Sequence, residues 1–340
     1  MGDDSREIHP ASARRIRRNE PPRNPNSYRI TDADRLGEGG PKQKFQQNLE
    51  TIRTLRALES EGRPATAEEK AVLIKYVGWG AMPQVFDDYN REWARERKQL
   101  QELLTEDEIK SARSTTLNAH YTSPAIIGAI YRAAERFGFR GGRMLEPACG
   151  IGHFIGLMPQ EMLHRSTVTG IEIDPLTARI AKALYPDCDI RAQPFEQSKL
   201  ADGFYDLAVS NVPFGDYTVH DRRWNSYKLP IHDYFFAAAL EKVRPGGLMM
   251  FITSRGTMDK LDSTLRELLS TRAELLGAVR LPNDAFKRNA GTEVTTDIVM
   301  LRKLRTGKRP LAHRGRKSLI TTTTSARTSL STNTSLPGRK

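Results

Sequence analysis

The residues with the clearest chemical potential lie at positions 206–214, where the chain reads Asp-Leu-Ala-Val-Ser-Asn-Val-Pro-Phe. An apolar run of strand type begins at the carboxylate of Asp206 and ends at the amide of Asn211. A stiff proline turn then presents the ring of Phe214 close to that amide. An amide and an exposed ring at the carboxyl end of a strand can hold a flat base by its edge and its face. We therefore predict that this stretch is the substrate end of an active site.

A second motif lies upstream, at residues 145–154, and reads Leu-Glu-Pro-Ala-Cys-Gly-Ile-Gly-His-Phe. A strand that runs into Gly150-x-Gly152 lets the backbone approach a ligand where the next helix begins. The following glycine, Gly156, stands one residue late for the dinucleotide fingerprint. On the next strand candidate, Glu172 can accept hydrogen bonds from both hydroxyls of a ribose. The pair of motifs predicts an adenosine-containing cofactor, with a nucleotide fold for another ligand as the alternative.

The sequence between 118 and 304 alternates strand-like and helix-like stretches. Seven strand candidates are short and rich in apolar residues: 142–146, 167–174, 189–193, 204–211, 246–254, 273–281 and 296–304. Helix-like stretches follow a first helix that starts at Ser123-Pro124, and they cover 153–163, 176–184, 232–243 and 259–270. This alternation predicts a mostly parallel sheet covered by helices, with ligands at the carboxyl ends of the strands. No convincing helix separates the last two strands, which predicts an antiparallel edge hairpin.

The chain divides into four segments by composition. Residues 1–42 are polar and rich in Pro, Gly and Arg, which predicts an unstructured N-terminal segment. Residues 43–117 read as a helical accessory region, and residues 118–304 as the α/β domain. Residues 305–340 have no hydrophobic periodicity and many Ser and Thr, which predicts a disordered basic tail and is also compatible with the end of a truncated gene.

Two capping boxes support the helical region. Thr66 precedes Glu69 by three residues, and Thr105 precedes Glu108 by three, so each pair can close a helix start. Between them Trp79 stands among glycines. We predict that Trp79 is a buried packing anchor in a tight turn.

The positive charge of the chain is concentrated at one end. The net charge is +12, and residues 301–340 hold eleven Lys or Arg and no Asp or Glu. Such a tail can bind phosphate, but a disordered terminus is the favoured interpretation. The charge therefore does not by itself identify a nucleic-acid-binding domain.

Composition excludes several other classes. Apolar residues make up 38% and charged residues 28% of the chain, which fits a soluble globular core. No apolar run approaches the roughly 18–20 residues of a membrane-spanning helix, and the first residues do not form a signal peptide. Cys149 and Cys188 are too few for a disulfide framework and lack metal-ligand spacing. We expect a cytoplasmic protein without a metal or a membrane partner.

Taken together, the two motifs resemble those of the amino-methylating DNA methyltransferases that use S-adenosylmethionine, and among these the adenine-N6 branch. The resemblance implies a Rossmann-like methyltransferase fold of the α/β class, in which seven strands form a mostly parallel sheet with an antiparallel edge hairpin. It implies DNA as the partner, with the target adenine flipped out of the helix.

The resemblance also implies which residues bind the cofactor. Thr122 matches a residue near the methionine carboxylate, Glu172 the ribose acid, and Phe195 a residue that stacks on the adenine. The whole predicted set is Tyr121, Thr122, Glu146, Pro147, Gly150, Gly152, Phe154, Glu172, Phe195 and Glu196. A plain helix cap remains the alternative for Thr122, and a loop core residue for Phe195. Asp174 is expected to end the strand or to cap the next helix.

Catalysis is implied to rest on Asn211, Val212, Pro213 and Phe214. The exocyclic amine of a base is a poor nucleophile because its lone pair is delocalised into the ring. By resemblance, the side-chain oxygen of Asn211 and the backbone carbonyl of Val212 accept the amino hydrogens, and Phe214 stacks on the base. Most family members carry proline where this chain has Val212, and a valine still supplies the carbonyl. A tight turn that ends a buried strand is the structural alternative.

Further phrases narrow the resemblance to the methylase module of very large bacterial and phage methylase–helicase polypeptides. They are Tyr76-Val-Gly-Trp-Gly80, Asn118-Ala-His-Tyr-Thr-Ser-Pro124, Leu145-Glu-Pro147, Asn211-Val-Pro-Phe-Gly215, Ile231-His-Asp-Tyr-Phe235, Thr257-Met-Asp259, Arg280-Leu-Pro282 and Val294-Thr-Thr-Asp297. The match covers about residues 45–304. No Gly-x-x-x-x-Gly-Lys-Ser/Thr motif occurs, so a helicase-type ATPase or a target-recognition component is expected to be a separate partner.

Two functions of different class follow. The first is adenine-N6 methylation of DNA, in restriction–modification or in a mobile element. The second is a non-catalytic remnant of an antirestriction protein that binds DNA or protein. A third hypothesis is methylation of a protein glutamine amide, because enzymes of that kind use the same Asn-x-Pro-aromatic motif. The histidines His153, His220 and His232 are predicted to be structural.

Overall fold

One seven-stranded sheet organises the protein. The computed structural model describes residues 23–116, 122–283 and 295–305. The strands are β1 (Arg143–Glu146), β2 (Thr167–Glu172), β3 (Asp189–Ala192), β4 (Tyr205–Asn211), β5 (Val243–Ser254), β6 (Ala273–Arg280) and β7 (Thr296–Lys303). Their order across the sheet is β3-β2-β1-β4-β5-β7-β6. All seven strand candidates are confirmed, with ends that shift by three residues or fewer.

Strand direction also agrees with expectation. The pairs β1–β2, β1–β4, β2–β3 and β4–β5 are parallel. The last strand, β7, inserts antiparallel between β5 and β6. The predicted Rossmann-like methyltransferase fold, with a mostly parallel sheet and an antiparallel edge pair, is therefore confirmed. Since β1 lies between β2 and β4, the turns that follow these three strands meet at one edge of the sheet.

Eleven helices lie within the described ranges. They are α1 (Pro41–Glu61), α2 (Ala67–Leu73), α3 (Ala94–Leu103), α4 (Glu106–Thr115), α5 (Pro124–Arg136), α6 (His153–Gly156), α7 (Gln160–His164), α8 (Pro175–Leu184), α9 (Ile231–Lys242), α10 (Gly256–Asp259) and α11 (Thr264–Ser270). Two predicted helices are interrupted. The stretch 153–163 breaks before Pro159, whose ring cannot continue a helix. The stretch 259–270 begins as a helix only at Thr264, where the Asp262 side chain accepts the Thr264 amide at 2.9 Å.

The two faces of the sheet pack into separate cores. Met144, Leu207 and Met250 belong to the core that also contains α1, α5 and α8. Their strand neighbours Leu145 and Ala208 belong to the core formed with α9 and α11. This alternation is the period-two pattern of a sheet that is covered on both sides. None of the helices in the described ranges has both the length and the apolar character needed to cross a bilayer.

The prediction of an unstructured segment over 1–42 is wrong for residues 23–42. The stretch 23–35, here called the N-terminal strap, lies against the C-terminal ends of α6, α7 and α8. Its backbone amides at Arg23, Tyr28 and Ile30 donate to the carbonyls of His164, Leu184 and Gly156 at 2.9, 2.9 and 3.1 Å. The side chain of Ile30 is buried in the core. Because all of these partners are distant in sequence, the local composition carries no signal of the contact.

The helical accessory region forms as predicted. Both capping boxes close, with Thr66 accepting the Glu69 amide and Thr105 accepting the Glu108 amide. Trp79 is 1% exposed and packs edge-on against Phe86, which confirms it as a packing anchor. Residues of α1 share one core with the sheet. The predicted tail, 305–340, lies outside the described residues except for Arg305.

Candidate functional site

A cavity of about 650 Å³ opens at the carboxyl edge of β1, β2 and β4. Ten of the predicted site residues line it: Thr122, Glu146, Pro147, Gly150, Phe154, Glu172, Phe195, Glu196, Asn211 and Pro213. Tyr121 lies outside the described residues. Gly152, Val212 and Phe214 stand directly beside lining residues without forming the wall themselves. The two sequence motifs therefore meet in one cavity.

The glycine turn after β1 can be built only from glycine. Gly150 and Gly152 have φ angles of 54° and 85°, in the left-handed region that L side chains rarely adopt. A Cβ atom on Gly152 would lie 2.4 Å from the ring of Tyr185. The amide of Gly150 points toward β2 and donates to Glu172 Oε2 at 2.8 Å. Glycine at position 152 therefore lets the turn pack closely on Tyr185, while the backbone of Gly150 reaches the cavity wall.

Glu172 ends β2 and is held by two backbone amides. Its Oε2 atom accepts from Gly150, and its Oε1 atom accepts from the amide of Asp174, each at 2.8 Å. Burial raises the pKa of Glu172 to about 7, although the same amide bonds favour its charged form. Each oxygen has further lone pairs, so the carboxyl group can accept two hydroxyl hydrogens from the cavity.

Asp174 has the capping role expected of it. Its Oδ2 atom accepts the Thr177 amide at 2.9 Å and the Thr177 hydroxyl at 2.5 Å, at the start of α8. The residue is 5% exposed. Capping fixes the backbone of Asp174, and the amide of Asp174 in turn fixes Glu172.

Glu146, the last residue of β1, is a buried carboxyl group. Only 2% of its surface is exposed, and its Oε2 atom has no hydrogen-bond partner among the residues described. Burial, and then the nearby charge of Glu172, raise the pKa of Glu146 well above its ordinary value. Burial therefore favours the protonated form of this carboxyl group, in which it can donate a hydrogen bond as well as accept one. A polar atom buried in this way is satisfied when a ligand with polar groups fills the cavity.

Thr122 is 4% exposed and lines the cavity two residues before α5 begins at Pro124. The N-cap residue of α5 is Ser123, so Thr122 is not the helix cap that the alternative reading required. Phe154, 3% exposed, lines the wall at the start of α6.

The residues expected to contact the adenine of the cofactor were predicted only in part. Phe195 is 5% exposed and stacks on Phe235 with ring centroids 5.3 Å apart, so it belongs to the core as well as to the cavity wall. Ile173, which we did not select from the sequence, lines the same cavity with 65% of its surface exposed. The sequence did contain a signal for this residue. Ile173 stands between two acids, Glu172 and Asp174, at the end of a strand, and a large apolar side chain in such a polar turn can be there to contact a ligand.

The second motif ends β4 as predicted. Asn211 is the last residue of β4, pairs with Ile252 of β5 and lines the cavity. The next amide, that of Val212, continues the ladder to the carbonyl of Ile252 at 3.1 Å. Pro213 lines the cavity, while the partly buried ring of Phe214 packs against both cores. Asp206, at the opposite end of the strand, forms ion pairs with Arg143 and Arg244, which is a structural role.

The segment that follows, residues 215–230, completes the cavity and was not predicted. Tyr217, Thr218, Val219 and His220 line the wall, and Tyr217 is 49% exposed. Thr218 forms a β-bridge with Pro230. His220, predicted to be structural, is thus part of the cavity wall. His153 also lines it, and burial lowers the pKa of His153 to about 4, so this imidazole is neutral at pH 7.

A protein of known name is similar to this chain in sequence. Defense against restriction protein B of Escherichia phage P1 is 32% identical over 193 residues, which is 55% of this chain and 8% of the phage protein. The chain therefore spans a small part of that relative's length. No protein-family model matches the chain.

Two solved structures are similar in fold. A protein of Listeria monocytogenes assigned to the class I S-adenosylmethionine-dependent methyltransferases superposes with a TM-score of 0.49 and 18% identity, over 79% of this chain and 90% of that one. The methyltransferase subunit of a type I restriction–modification system of Streptococcus thermophilus superposes with a TM-score of 0.46 and 13% identity, over 78% and 79% of the two chains.

Proposed function

We propose that this chain transfers a methyl group from S-adenosylmethionine to the N6 amino group of adenine in DNA. One observation carries the proposal. The glycine turn with Glu172 and the strand end at Asn211 line a single cavity, so a donor and an acceptor can meet within it. The names of the similar proteins agree with methyl transfer and with restriction.

The residues of the cavity fit the cofactor. The carboxyl group of Glu172 can accept both ribose hydroxyls, and Gly150 brings backbone without a side chain to the cavity wall beside it. The buried Oε2 atom of Glu146, which has no hydrogen-bond partner among the residues described, lines the cavity and can bond to a polar group of the ligand. Ile173 and Phe195 supply apolar surface for a purine ring. When bound, S-adenosylmethionine supplies an electrophilic methyl group on a sulfonium that leaves as a neutral thioether.

The residues at the substrate end fit an amine. The side-chain oxygen of Asn211 and the carbonyl of Val212 accept the two amino hydrogens, which localises the nitrogen lone pair and offsets the positive charge that develops on the nitrogen. Pairing with Ile252 on β5 fixes both residues before the substrate binds. Tyr217, which lines the cavity, offers an exposed ring for stacking on an extruded base, and the resemblance of the motif assigns the same role to the partly buried ring of Phe214. The preference for adenine over cytosine rests on the resemblance of the motif.

Two measurements test the proposal. Isothermal titration calorimetry should detect binding of S-adenosylmethionine to the wild-type chain, with a matching rise in melting temperature. Transfer of a tritiated methyl group to unmethylated DNA, followed by nucleoside mass spectrometry, should yield N6-methyladenine. N4-methylcytosine as the product would correct the base, and a methylated protein glutamine would correct the substrate class. Cofactor binding without transfer to any substrate would favour the non-catalytic reading, and absence of cofactor binding to the folded protein would overturn the methyltransferase reading.

A further inference from the structure

The helical region that precedes the sheet domain contributes to the wall of the cavity. Gly78, in the tryptophan-containing turn, and Ser114 and Thr115, at the end of α4, line the same cavity as Glu172 and Ile173. No cofactor-binding residue was predicted in 43–116. These three residues extend the site beyond the sheet domain.

The end of α4 is fixed next to the end of β2. The hydroxyl of Ser111, in the last turns of α4, donates to Asp174 Oδ1 at 2.6 Å. Ser114 and Thr115 follow within about one helical turn, a rise of roughly 5 Å. This contact therefore places the last turn of α4 beside the residues that are proposed to hold the ribose.

Ser111 also completes a chain of hydrogen bonds that ends at Glu172. The carboxylate of Asp174 accepts from Ser111 on one oxygen and from the amide and hydroxyl of Thr177 on the other. The backbone amide of Asp174 then donates to Glu172 Oε1 at 2.8 Å. A change at Ser111 is thus transmitted to the Glu172 carboxyl group through Asp174, without direct contact between the first residue and the last.

Ion pairs keep the helical region in this place. Arg179 of α8 donates to Glu59 of α1 at 2.7 Å and to Glu108 of α4 at 3.0 Å. Arg56 of α1 binds the other oxygen of Glu108 at 2.8 Å. Within the accessory region, Asn48 donates to the carbonyl of Gly78 at 2.6 Å and so positions the turn that reaches the cavity. Several charges that form a network hold two helices more firmly than an isolated pair does.

We infer that residues 41–116 are an integral part of the cofactor site, with Gly78, Ser114 and Thr115 as its wall beside the ribose and Ser111 as a positioning residue for Glu172. The inference rests on the proposed function, since it concerns the same cavity. The hydroxyls of Ser114 and Thr115 donate to the carbonyls of Ser111 and Ala112 at 2.7 and 2.8 Å. Their oxygens retain lone pairs that can accept a hydrogen from a ribose hydroxyl or an adenine amino group.

Calorimetry with S-adenosylmethionine tests the positioning role. Ser111→Ala should weaken binding about five-fold, less than the loss of a direct hydrogen bond to a charged group, because Ser111 acts on the cofactor only through Asp174. Ser111→Thr restores a hydroxyl and should bind as wild type does. Thr116→Ala is the matched control, because the Thr116 hydroxyl bonds to the Arg113 carbonyl at 2.8 Å outside the cavity wall. Equal losses in Ser111→Ala and Thr116→Ala would show a general loosening of α4 and overturn the inference.

A second measurement needs no cofactor. Hydrogen exchange of the Asp174 amide, followed by NMR, should accelerate in Ser111→Ala and stay at the wild-type rate in Thr116→Ala. Unchanged exchange, together with unchanged cofactor binding, would overturn the positioning role while the proposed function stands. Failure of the wild-type chain to bind the cofactor would instead overturn the proposed function, and the cofactor-site inference with it.

A steric substitution tests the wall itself. Thr115→Phe places a ring in the cavity and should weaken binding of S-adenosylmethionine more than tenfold, whereas Thr116→Phe should leave it unchanged. Melting temperatures of the two variants identify any difference in folding. Equal affinity in Thr115→Phe and wild type would show that the end of α4 does not contact the cofactor.

Discussion

The two halves of the cavity are built in different ways. In the cofactor half, a continuous series of hydrogen bonds of 2.8–2.9 Å joins Gly150, Glu172, Asp174 and Thr177. In the substrate half, residues 211–220 leave the strand ladder after Val212, and Tyr217 is 49% exposed. A small ligand binds well to a wall that is already formed before binding. A macromolecular substrate can instead bury exposed residues with its own surface when it binds. The difference indicates that the cofactor half is preorganised and that the substrate half is completed by its partner.

The largest expected effect is in the substrate half. Asn211→Ala should reduce methyl transfer at least about 1000-fold, because it removes an acceptor whose role is in the transition state. Cofactor affinity should stay within about twofold of wild type. Nucleoside mass spectrometry and calorimetry measure the two quantities. Asn225→Ala is the matched control, since this exposed asparagine lies in the same segment outside the cavity wall. Wild-type N6-methyladenine levels in Asn211→Ala would disprove the catalytic role.

The matching effect in the cofactor half is on binding. Glu172→Ala should weaken S-adenosylmethionine about thirty-fold, from two ribose hydrogen bonds worth about 1 kcal/mol each. Calorimetry measures this loss, and transfer at saturating cofactor should change less than binding does. Asp189→Ala, at the opposite end of the neighbouring strand β3, should have no effect on either. If Glu172→Ala bound the cofactor normally, the acid would serve only to support the glycine turn.

The packing of Gly156 against Tyr185 and Ile30, behind the cofactor half, should be too tight to accept a single added methyl group. A Cβ atom on Gly156 would lie 2.5 Å from the Tyr185 hydroxyl and 2.6 Å from Ile30 Cδ1, both of them buried. Gly156→Ala should lower the free energy of unfolding by about 1–3 kcal/mol through this overpacking. Gly128→Ala, in the middle of α5 beside only a flexible Arg132 side chain, should raise it by about 0.5–1 kcal/mol. Urea titration compares the two. Equal effects would show that the packing beneath the turn is loose.

The last prediction concerns how the stability of the cofactor half depends on pH. Burial raises the pKa of Glu172 to about 7 from its ordinary 4.5. The folded chain then binds more protons than the unfolded chain between these two values, so the free energy of unfolding contributed by this group falls as the pH rises through this window. Glu172→Gln should remove this fall, and the difference between the two urea curves should be flat below pH 4.5 and above pH 7. Glu274→Gln, exposed on β6, should leave the wild-type profile unchanged.

Local patterns predicted the strands, most of the helices and the site residues at the ends of strands. Alternating apolar runs predicted all seven strands, because strands that are buried on both faces have few polar residues. The same periodicity predicted a helix over 259–270 that is too long at its start. The helix begins at Thr264, five residues later than predicted, where the Asp262 side chain accepts the Thr264 amide. Residues at the ends of strands, such as Glu172 and Asn211, were predicted because parallel strands bring their carboxyl ends to one edge.

Contacts between distant segments could not be predicted in this way. The bond between Ser111 and Asp174 joins residues 63 positions apart, and neither residue is unusual within its own helix or turn. Ile173 and Tyr217 likewise lie in irregular backbone, where apolar periodicity gives no direction to a side chain. The resemblance to a known family supplied the roles of the motif residues, and it gave no role to Ser111, Ser114 or Thr115 because no motif lies at these positions.

The N-terminal strap imposes an order on vectorial synthesis. Residues 23–30 are made early, but their carbonyl partners at Gly156, His164 and Leu184 follow more than a hundred residues later; Arg29 and Ile155 alone are separated by 126 positions. The backbone bonds of the strap to Gly156, His164 and Leu184 can form only after these residues have been translated, whereas Lys70 of α2, which donates to the Asn26 carbonyl at 2.6 Å, is made earlier. Ile30 packs beside Gly156, so docking of the strap behind the glycine turn is completed late in the synthesis of the chain.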